Sequence, residues 1–140
     1  MNIAIVGATG NVGRKTLEVL EKKELFIDNL YLVASSKSAG KKISFKDKEH
    51  EVFDLENFDF SKVKIAFFAA GGKISEKFAE KAAKYCIVID NSSFYRMDPD
   101  VPLIVPQVNS DDLKNNKKNI IANPNCSTAQ LVIALKPLHD

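Results

Sequence analysis

The sequence predicts an α/β fold, a Rossmann-like, doubly wound and mostly parallel sheet, on three observations. Short apolar runs recur along the chain, as in strands buried on both faces, at residues 2–6, 30–34, 63–70, 85–90 and 120–122. Apolar residues at helical spacing follow several of these runs. A glycine-rich turn joins the first run to the first helical segment, which is the arrangement that begins nucleotide-binding α/β domains.

Length and composition indicate one ordinary globular domain, because 140 residues are enough to build a hydrophobic core. The 20 basic and 18 acidic side chains are interspersed, so the net charge of +2 gives no reason to expect nucleic acid or a membrane as a partner. The chain starts without a signal-peptide pattern, and no apolar run approaches the ~20 residues that span a bilayer. Cys86 and Cys126 form no metal-binding or disulfide pattern, so we expect no metal site and a reduced, cytoplasmic protein.

Three glycines, Gly7, Gly10 and Gly13, lie between the first predicted strand and the first predicted helix. The first permits a sharp turn, the second lets the backbone approach a phosphate, and the third lets the helix pack on the strand. Their spacing is GxxGxxG rather than the stricter GxGxxG, so a purely structural turn stays open as an alternative. The position between strand and helix favours dinucleotide binding.

The segment after the second predicted strand indicates which dinucleotide to expect. NAD-binding domains place a carboxylate about 20 residues beyond the glycines, where it binds the ribose 2′-hydroxyl. This chain has Ser35, Ser36, Lys37 and Ser38 in that region, and hydroxyls with a lysine suit a 2′-phosphate. We therefore expect NADP rather than NAD, the alternative being an ordinary polar loop.

Two further strand ends carry candidate binding residues, because ligands of doubly wound sheets bind outside the carboxyl ends of strands. Gly71 and Gly72 end the third parallel run, where their backbone either lies against a cofactor or only joins strand to helix. Arg96 lies in the polar loop after the next run, and its planar guanidinium suits a phosphate or carboxylate. An ordinary surface arginine is the alternative.

Two further segments are given a predicted structure but no site residue. Residues 43–45 and 51–53 indicate a small hairpin with its turn near Asp47 and Lys48, and we assign it no chemistry. Two prolines indicate that residues 101–108 form an extended edge segment rather than a central strand.

Cys126 is the candidate nucleophile. The apolar run at residues 120–122 ends in an Asn-Pro-Asn turn, and a mostly apolar segment long enough for a helix follows the cysteine. A thiol at a helix N-terminus faces unpaired N–H groups and the positive end of the helix dipole, which favours the reactive thiolate. An inert cysteine beside a helix cap is the alternative.

Several of these segments together resemble the N-terminal portion of aspartate-β-semialdehyde dehydrogenases, over the whole length of the chain. They are residues 7–13, 35–41, 69–72, 88–93, 96–102 and 123–128, of which the last two are distinctive. The resemblance implies an NADP-dependent, phosphorylating aldehyde dehydrogenase. Such an enzyme converts L-aspartyl-4-phosphate to L-aspartate-4-semialdehyde through a cysteine acyl-thioester, in lysine, diaminopimelate, methionine and threonine biosynthesis.

The resemblance also implies roles for individual residues. Cys126 matches the nucleophile, and Asn125 or the Cys126 N–H is a candidate donor to the oxyanion. Arg96 matches the arginine that binds the substrate phosphate. The family's pyrophosphate loop and 2′-phosphate region match Thr9, Gly10, Asn11 and Val12, and Ser35, Lys37 and Ser38, respectively.

By the same resemblance, residues 1–126 form the NADP-binding domain and residues 127–140 a helix leading toward a second, catalytic and dimerisation domain. That second domain supplies the histidine acid/base and most of the dimer interface in the family. We therefore expect little turnover from the 140-residue chain alone, and a homodimer or tetramer for the full-length form. Pro137 predicts the end of the last helix.

Two alternative functions remain open. N-acetylglutamyl-phosphate reductase uses the same thioester chemistry, but its cysteine is preceded by glycine, whereas Asn125 precedes Cys126 here. A non-catalytic NADP-binding module is the alternative from a different class. It predicts NADP affinity without selective reactivity of Cys126.

Overall fold

The computed structural model describes residues 1–139 and contains one seven-stranded sheet, which confirms the predicted α/β, Rossmann-like fold. Its strand order is β3-β4-β2-β1-β5-β6-β7, and every neighbouring pair is parallel except β3 and β4. The strands are β1 (Asn2–Val6), β2 (Asn29–Ala34), β3 (Lys42–Phe45), β4 (Lys48–Asp54), β5 (Ile65–Phe68), β6 (Ile87–Asp90) and β7 (Ile120–Ala122).

Residues 1–139 also contain four α-helices and four short 3-10 turns, all between strands except the last helix, which follows β7. The helices are α1 (Asn11–Lys22), α2 (Gly72–Ala83), α3 (Pro106–Asn109) and α4 (Cys126–His139). The 3-10 turns are Ser36–Ser38, Leu55–Asn57, Phe60–Lys62 and Ser110–Asn115. None of the helices in this part of the chain is long and apolar enough to cross a membrane.

The hydrophobic core lies on both faces of the sheet. Along β1, Ile3 and Ile5 belong to one buried cluster, while Ala4 and Val6 belong to the other. This split follows from the period of two in a strand, which points successive side chains to opposite faces. Helix α1 covers the first cluster and α2 covers the second, so the sheet is covered on both sides, as the continuous apolar runs predict.

The predicted hairpin is present as β3 and β4, which pair antiparallel. Its turn is at Lys46 and Asp47, which have positive φ angles of 47° and 60°, and Lys48 already belongs to β4. Strand β4 also joins the main sheet, because it pairs in parallel with β2, with Leu32 opposite Val52. This second pairing carries the end of β4 to the same sheet edge as the glycine turn.

Helix α4 differs from the other long helices because none of its residues is buried. Leu131, Ile133, Leu135 and Leu138 are all exposed. The prediction that Pro137 ends this helix is wrong, since the helix continues to His139. Pro137 lacks an N–H and therefore makes no backbone hydrogen bond to the preceding turn, but α4 continues past it.

Candidate active site

The glycine turn between β1 and α1 has the close packing that a dinucleotide fold needs. Gly7 has a φ of +87°, a conformation that favours glycine, and its N–H donates to the Val33 carbonyl at 2.8 Å. A Cβ on Gly13 would lie 2.2 Å from the Gly7 carbonyl oxygen, so only glycine lets α1 pack this close to the turn. A Cβ on Gly10 would lie 3.4 Å from the same oxygen, which leaves its outer face open to a ligand.

The first turn of α1 provides N–H groups without intrahelical partners. The helix's first hydrogen bond joins the Arg14 N–H to the Gly10 carbonyl at 3.0 Å. The N–H groups of Asn11, Val12 and Gly13 precede that bond, and such groups with the positive end of the helix dipole bind phosphate. The turn therefore fits the pyrophosphate of a dinucleotide.

A cleft of about 450 Å³ lies at the carboxyl edge of the sheet beside this turn. Of the predicted cofactor residues, it is lined by Gly7, Thr9, Gly10 and Ser35. The others adjoin the lining residues in the sequence: Asn11 and Val12 begin α1, Lys37 and Ser38 lie in the 3-10 turn after Ser35, and Gly71 and Gly72 follow Ala70 into α2. The structure thus brings the predicted cofactor residues to one side of the sheet.

The far wall of the cleft was not predicted from the sequence. It consists of the last residue of β4, the two residues after it and two residues of α2, namely Asp54, Leu55, Glu56, Ile74 and Phe78. Both carboxylates of this wall bind other groups of the protein. Asp54 Oδ1 accepts a hydrogen bond from the Glu56 N–H at 3.2 Å, and the Glu56 carboxylate pairs with Lys77 at 2.6 Å. No local sequence pattern indicates this wall, because Asp54, Leu55 and Glu56 reach the cleft only through the pairing of β4 with β2.

Arg96 is held at the ends of β6 and β7 by two backbone carbonyls. Its Nε donates to the Asn123 carbonyl at 3.0 Å and its Nη2 to the Asn91 carbonyl at 3.2 Å. The two asparagines are themselves joined, since Asn123 Nδ2 donates to Asn91 Oδ1 at 2.8 Å. No ion pair among residues 1–139 involves Arg96. Its guanidinium is therefore fixed in place, with donors left for an anionic ligand.

The chain segment after Arg96 is anchored by an ion pair. Lys118 Nζ lies 2.9 Å from Asp98 Oδ2 and 3.6 Å from Glu80 Oε1. The hydrogen bond from Lys118 holds the pKa of Asp98 below its usual value, with a smaller contribution from the Asp100 N–H. Because the folded-state pKa is lowered, this contact is intact at neutral pH and is lost only as the pH falls through that pKa.

Cys126 is the first residue of α4 and its side chain is exposed. Asn125 caps the helix, because its Oδ1 accepts the Ser127 N–H at 2.9 Å and its carbonyl accepts the Ala129 N–H at 2.9 Å. The Cys126 Sγ lies 3.8 Å from Asn125 Oδ1. With Oδ1 in the cap, the Nδ2 of this amide is the group that can donate to a ligand.

The second cysteine is in a different environment. Cys86 is buried, and its Sγ lies 3.4 Å from the Ala82 carbonyl at the end of α2. Desolvation by burial raises the pKa of Cys86 to about 11. Within residues 1–139, no group of three or more His, Cys, Asp or Glu side chains is arranged to hold a metal ion.

Comparison with known proteins identifies the family of this chain. Residues 2–116 match the family model described as semialdehyde dehydrogenase, NAD binding domain. The chain is 52% identical to aspartate-semialdehyde dehydrogenase of Legionella pneumophila over 142 residues, which cover 100% of this chain and 41% of that protein.

Two solved structures extend the comparison. Aspartate semialdehyde dehydrogenase II of Vibrio cholerae, complexed with ASA, is 50% identical with a TM-score of 0.96, covering 99% of this chain and 46% of that one. The aspartate semialdehyde dehydrogenase of Candida albicans, solved with NADP, is 32% identical with a TM-score of 0.75. The match covers 98% of this chain and 46% of that one. This chain therefore spans less than half the length of each of these three proteins.

Proposed function

This chain belongs to the semialdehyde dehydrogenase family, and on that premise we propose that it is the cofactor-binding part of an NADP-dependent aspartate-semialdehyde dehydrogenase. In this proposal residues 1–126 form the NADP-binding domain and residues 127–140 lead into a catalytic and dimerisation domain. The full-length form is a cytoplasmic homodimer or tetramer. One observation carries the catalytic part of the proposal: the Arg96 side chain contacts the turn that leads to Cys126, because its Nε donates to the carbonyl of Asn123, three residues before the cysteine.

The proposed chemistry begins with the Cys126 thiolate attacking the acyl carbon of L-aspartyl-4-phosphate. A carbon–sulfur bond forms, the carbon–oxygen bond to phosphate breaks, and phosphate leaves with the bonding pair. Arg96 binds the phosphate through its unused guanidinium donors. The Cys126 N–H and Asn125 Nδ2 are the proposed donors to the oxyanion formed on attack. NADPH, when bound, supplies the hydride that converts the thioester to the aldehyde and returns the thiolate.

The test of this function is acylation of Cys126. We expect L-aspartyl-4-phosphate to form an aspartyl adduct on Cys126, detected by peptide mass spectrometry, with release of one phosphate per chain. Cys126→Ser should prevent the adduct, whereas Cys86→Ala serves as the matched control and should retain it. NADP binding without any adduct on the unsubstituted chain would favour the non-catalytic module instead.

The same chain should show little turnover by itself. We expect its rate of phosphate-dependent NADP reduction with L-aspartate-4-semialdehyde to be at least about 10²-fold below that of a full-length relative, because general acid–base groups contribute about that much or more. The resemblance assigns the acid/base histidine to the second domain. A rate similar to that of the full-length enzyme would show that the described residues are sufficient for catalysis.

NADP is proposed as the cofactor because Ser35, Lys37 and Ser38 follow β2 where an NAD-binding domain has a carboxylate. We expect the chain to bind NADP at least about tenfold more tightly than NAD, since one charge-assisted phosphate contact contributes about 1.5–3 kcal/mol. Lys37→Gln should remove most of this preference. Lys41→Gln, a change of another exposed lysine in the same segment, is the control and should preserve it. Calorimetric titration with both dinucleotides provides the measurement, and tighter binding of NAD would refute the assignment.

A further inference from the structure

Asp90, the last residue of β6, is completely buried and is not used in the chemistry above. Its Oδ1 accepts hydrogen bonds from the Ser75 hydroxyl at 2.6 Å and the Ser92 N–H at 3.1 Å. Its Oδ2 accepts the Ser92 hydroxyl at 2.6 Å. No ion pair among residues 1–139 involves Asp90. This carboxylate is therefore stabilised by neutral donors alone.

A buried carboxylate without a cation is costly, so its presence calls for a reason beyond packing. A neutral residue of similar volume would continue β6 at lower cost, since β6 pairs through its backbone with β5 and β7. A carboxylate differs from such a residue because its two oxygens can accept hydrogen bonds from two serine hydroxyls and an N–H at the same time. The function of Asp90 is thus to be found in the segments that carry those donors.

The two serines belong to the two halves of the candidate site. Ser75 lies in the first turn of α2, where its N–H donates to the Gly71 carbonyl at 3.2 Å, beside the cofactor cleft. Ser92 begins the loop that leads to Arg96, and its Oγ also accepts the Phe94 N–H at 3.2 Å. Asp90 therefore connects the first turn of α2 to the loop that carries Arg96.

The loop's conformation determines where the guanidinium lies. The Arg96 N–H donates to the Ser93 carbonyl at 3.4 Å, and its Nη2 donates to the Asn91 carbonyl at 3.2 Å. Both carbonyls flank Ser92, the residue that Asp90 holds from two sides. A change at Asp90 thus reaches Arg96 through the backbone of a single short loop.

We propose that Asp90, with Ser75 and Ser92, is a positioning residue that fixes the loop so that Arg96 binds the substrate phosphate beside the cofactor cleft. The inference rests on the proposed function, in which Arg96 is the phosphate-binding group. Asp90 itself contacts neither substrate nor cofactor, because it is buried beneath both segments.

The test uses inorganic phosphate as the probe and the Asp90→Asn variant. Asparagine keeps the shape, but an Nδ2 facing Ser92 Oγ can only donate, so the Ser92 hydroxyl proton loses its acceptor and the loop is held less firmly. We expect phosphate to shift the Arg96 Nε–H resonance and the loop amides of the unsubstituted chain in a saturable NMR titration. Asp90→Asn should raise the phosphate dissociation constant at least about tenfold. Ser93→Ala is the matched control: it replaces the exposed neighbouring serine and should leave the constant unchanged.

Stability and positioning are separated by measuring urea unfolding of each variant beside its phosphate affinity. A structural role alone would lower the urea midpoint and leave the dissociation constant of the folded molecules unchanged, which would overturn the proposal. Ser75→Ala provides a second, milder variant, because Asp90 then keeps both donors from Ser92, and it should weaken phosphate binding in the same direction. If neither variant folds, the network is structural and the proposal is wrong. If phosphate does not shift Arg96 in the unsubstituted chain, the phosphate site in the proposed function fails as well.

Discussion

Replacing Gly13 with alanine is expected to lower the free energy of unfolding by about 3 kcal/mol and to abolish dinucleotide binding. The added Cβ would lie 2.2 Å from the Gly7 carbonyl oxygen and 2.8 Å from the Ala8 Cα. Both contacts are with backbone, so no side chain can rotate away to relieve them. Helix α1 would have to move off the turn, and the N–H groups of its first turn would move with it.

Two other glycine-to-alanine changes separate packing from ligand approach. Gly72→Ala, in the first turn of α2, would place its Cβ 3.9 Å from that of Phe94, an ordinary contact, and should change stability by less than about 1 kcal/mol. Gly10 has a φ of −81°, which alanine also adopts, and an added Cβ would lie 3.4 Å from the Gly7 carbonyl oxygen, so Gly10→Ala should preserve the fold. Its methyl would instead occupy the open face of the turn and weaken NADP binding.

Urea unfolding and NADP titration of the three variants complete this test. Gly13→Ala should lower both the stability and the NADP affinity. Gly10→Ala should lower mainly the NADP affinity, and Gly72→Ala should change the stability little. A Gly13→Ala protein within about 1 kcal/mol of the unsubstituted chain would mean that α1 shifts at little cost. The assignment of Gly13 to close helix–strand packing would then be incorrect.

The parts of the site that local patterns encode could be predicted from the sequence. Strand β1 has the predicted bounds Asn2–Val6, and the glycines follow it directly into α1. The turn before Cys126 was likewise predictable, because Pro124 restricts the residue before it and a helix follows. In both places one short segment contains the strand end, the turn and the helix start, so no distant contact is needed.

The far wall of the cleft depends instead on contacts between distant segments. Leu55 reaches the cleft because β4 pairs with β2, and the hairpin pattern in the sequence does not indicate that pairing. Phe78 reaches it from α2, which covers the opposite face of the sheet from α1. The Ser75–Asp90 hydrogen bond escaped prediction for the same reason, since a strand-end Asp is usually solvated and only the packed fold buries it.

A large difference in reactivity is expected between the two cysteines of the folded chain. Cys126 is exposed at the start of α4, whereas Cys86 is 7% exposed and its pKa is raised to about 11 by desolvation. A pKa of about 11 leaves on the order of one Cys86 thiol in a thousand ionised at pH 8, and the thiolate is the form that reacts. Iodoacetamide should therefore label Cys126 at least about 100-fold faster, because burial also restricts access.

Single-cysteine variants, Cys86→Ala and Cys126→Ser, allow each labelling rate to be followed by mass spectrometry across pH. In concentrated urea the two thiols should react at similar rates, which shows that the folded structure causes the difference. The labelling of native Cys86 should rise about tenfold per pH unit toward pH 11. Because its folded-state pKa is above the unfolded value, its contribution to stability is present below pH ~8.5 and is lost as the pH rises toward 11. Comparable native rates at pH 8 would contradict the burial of Cys86, and slower labelling of Cys126 would remove it as the candidate nucleophile.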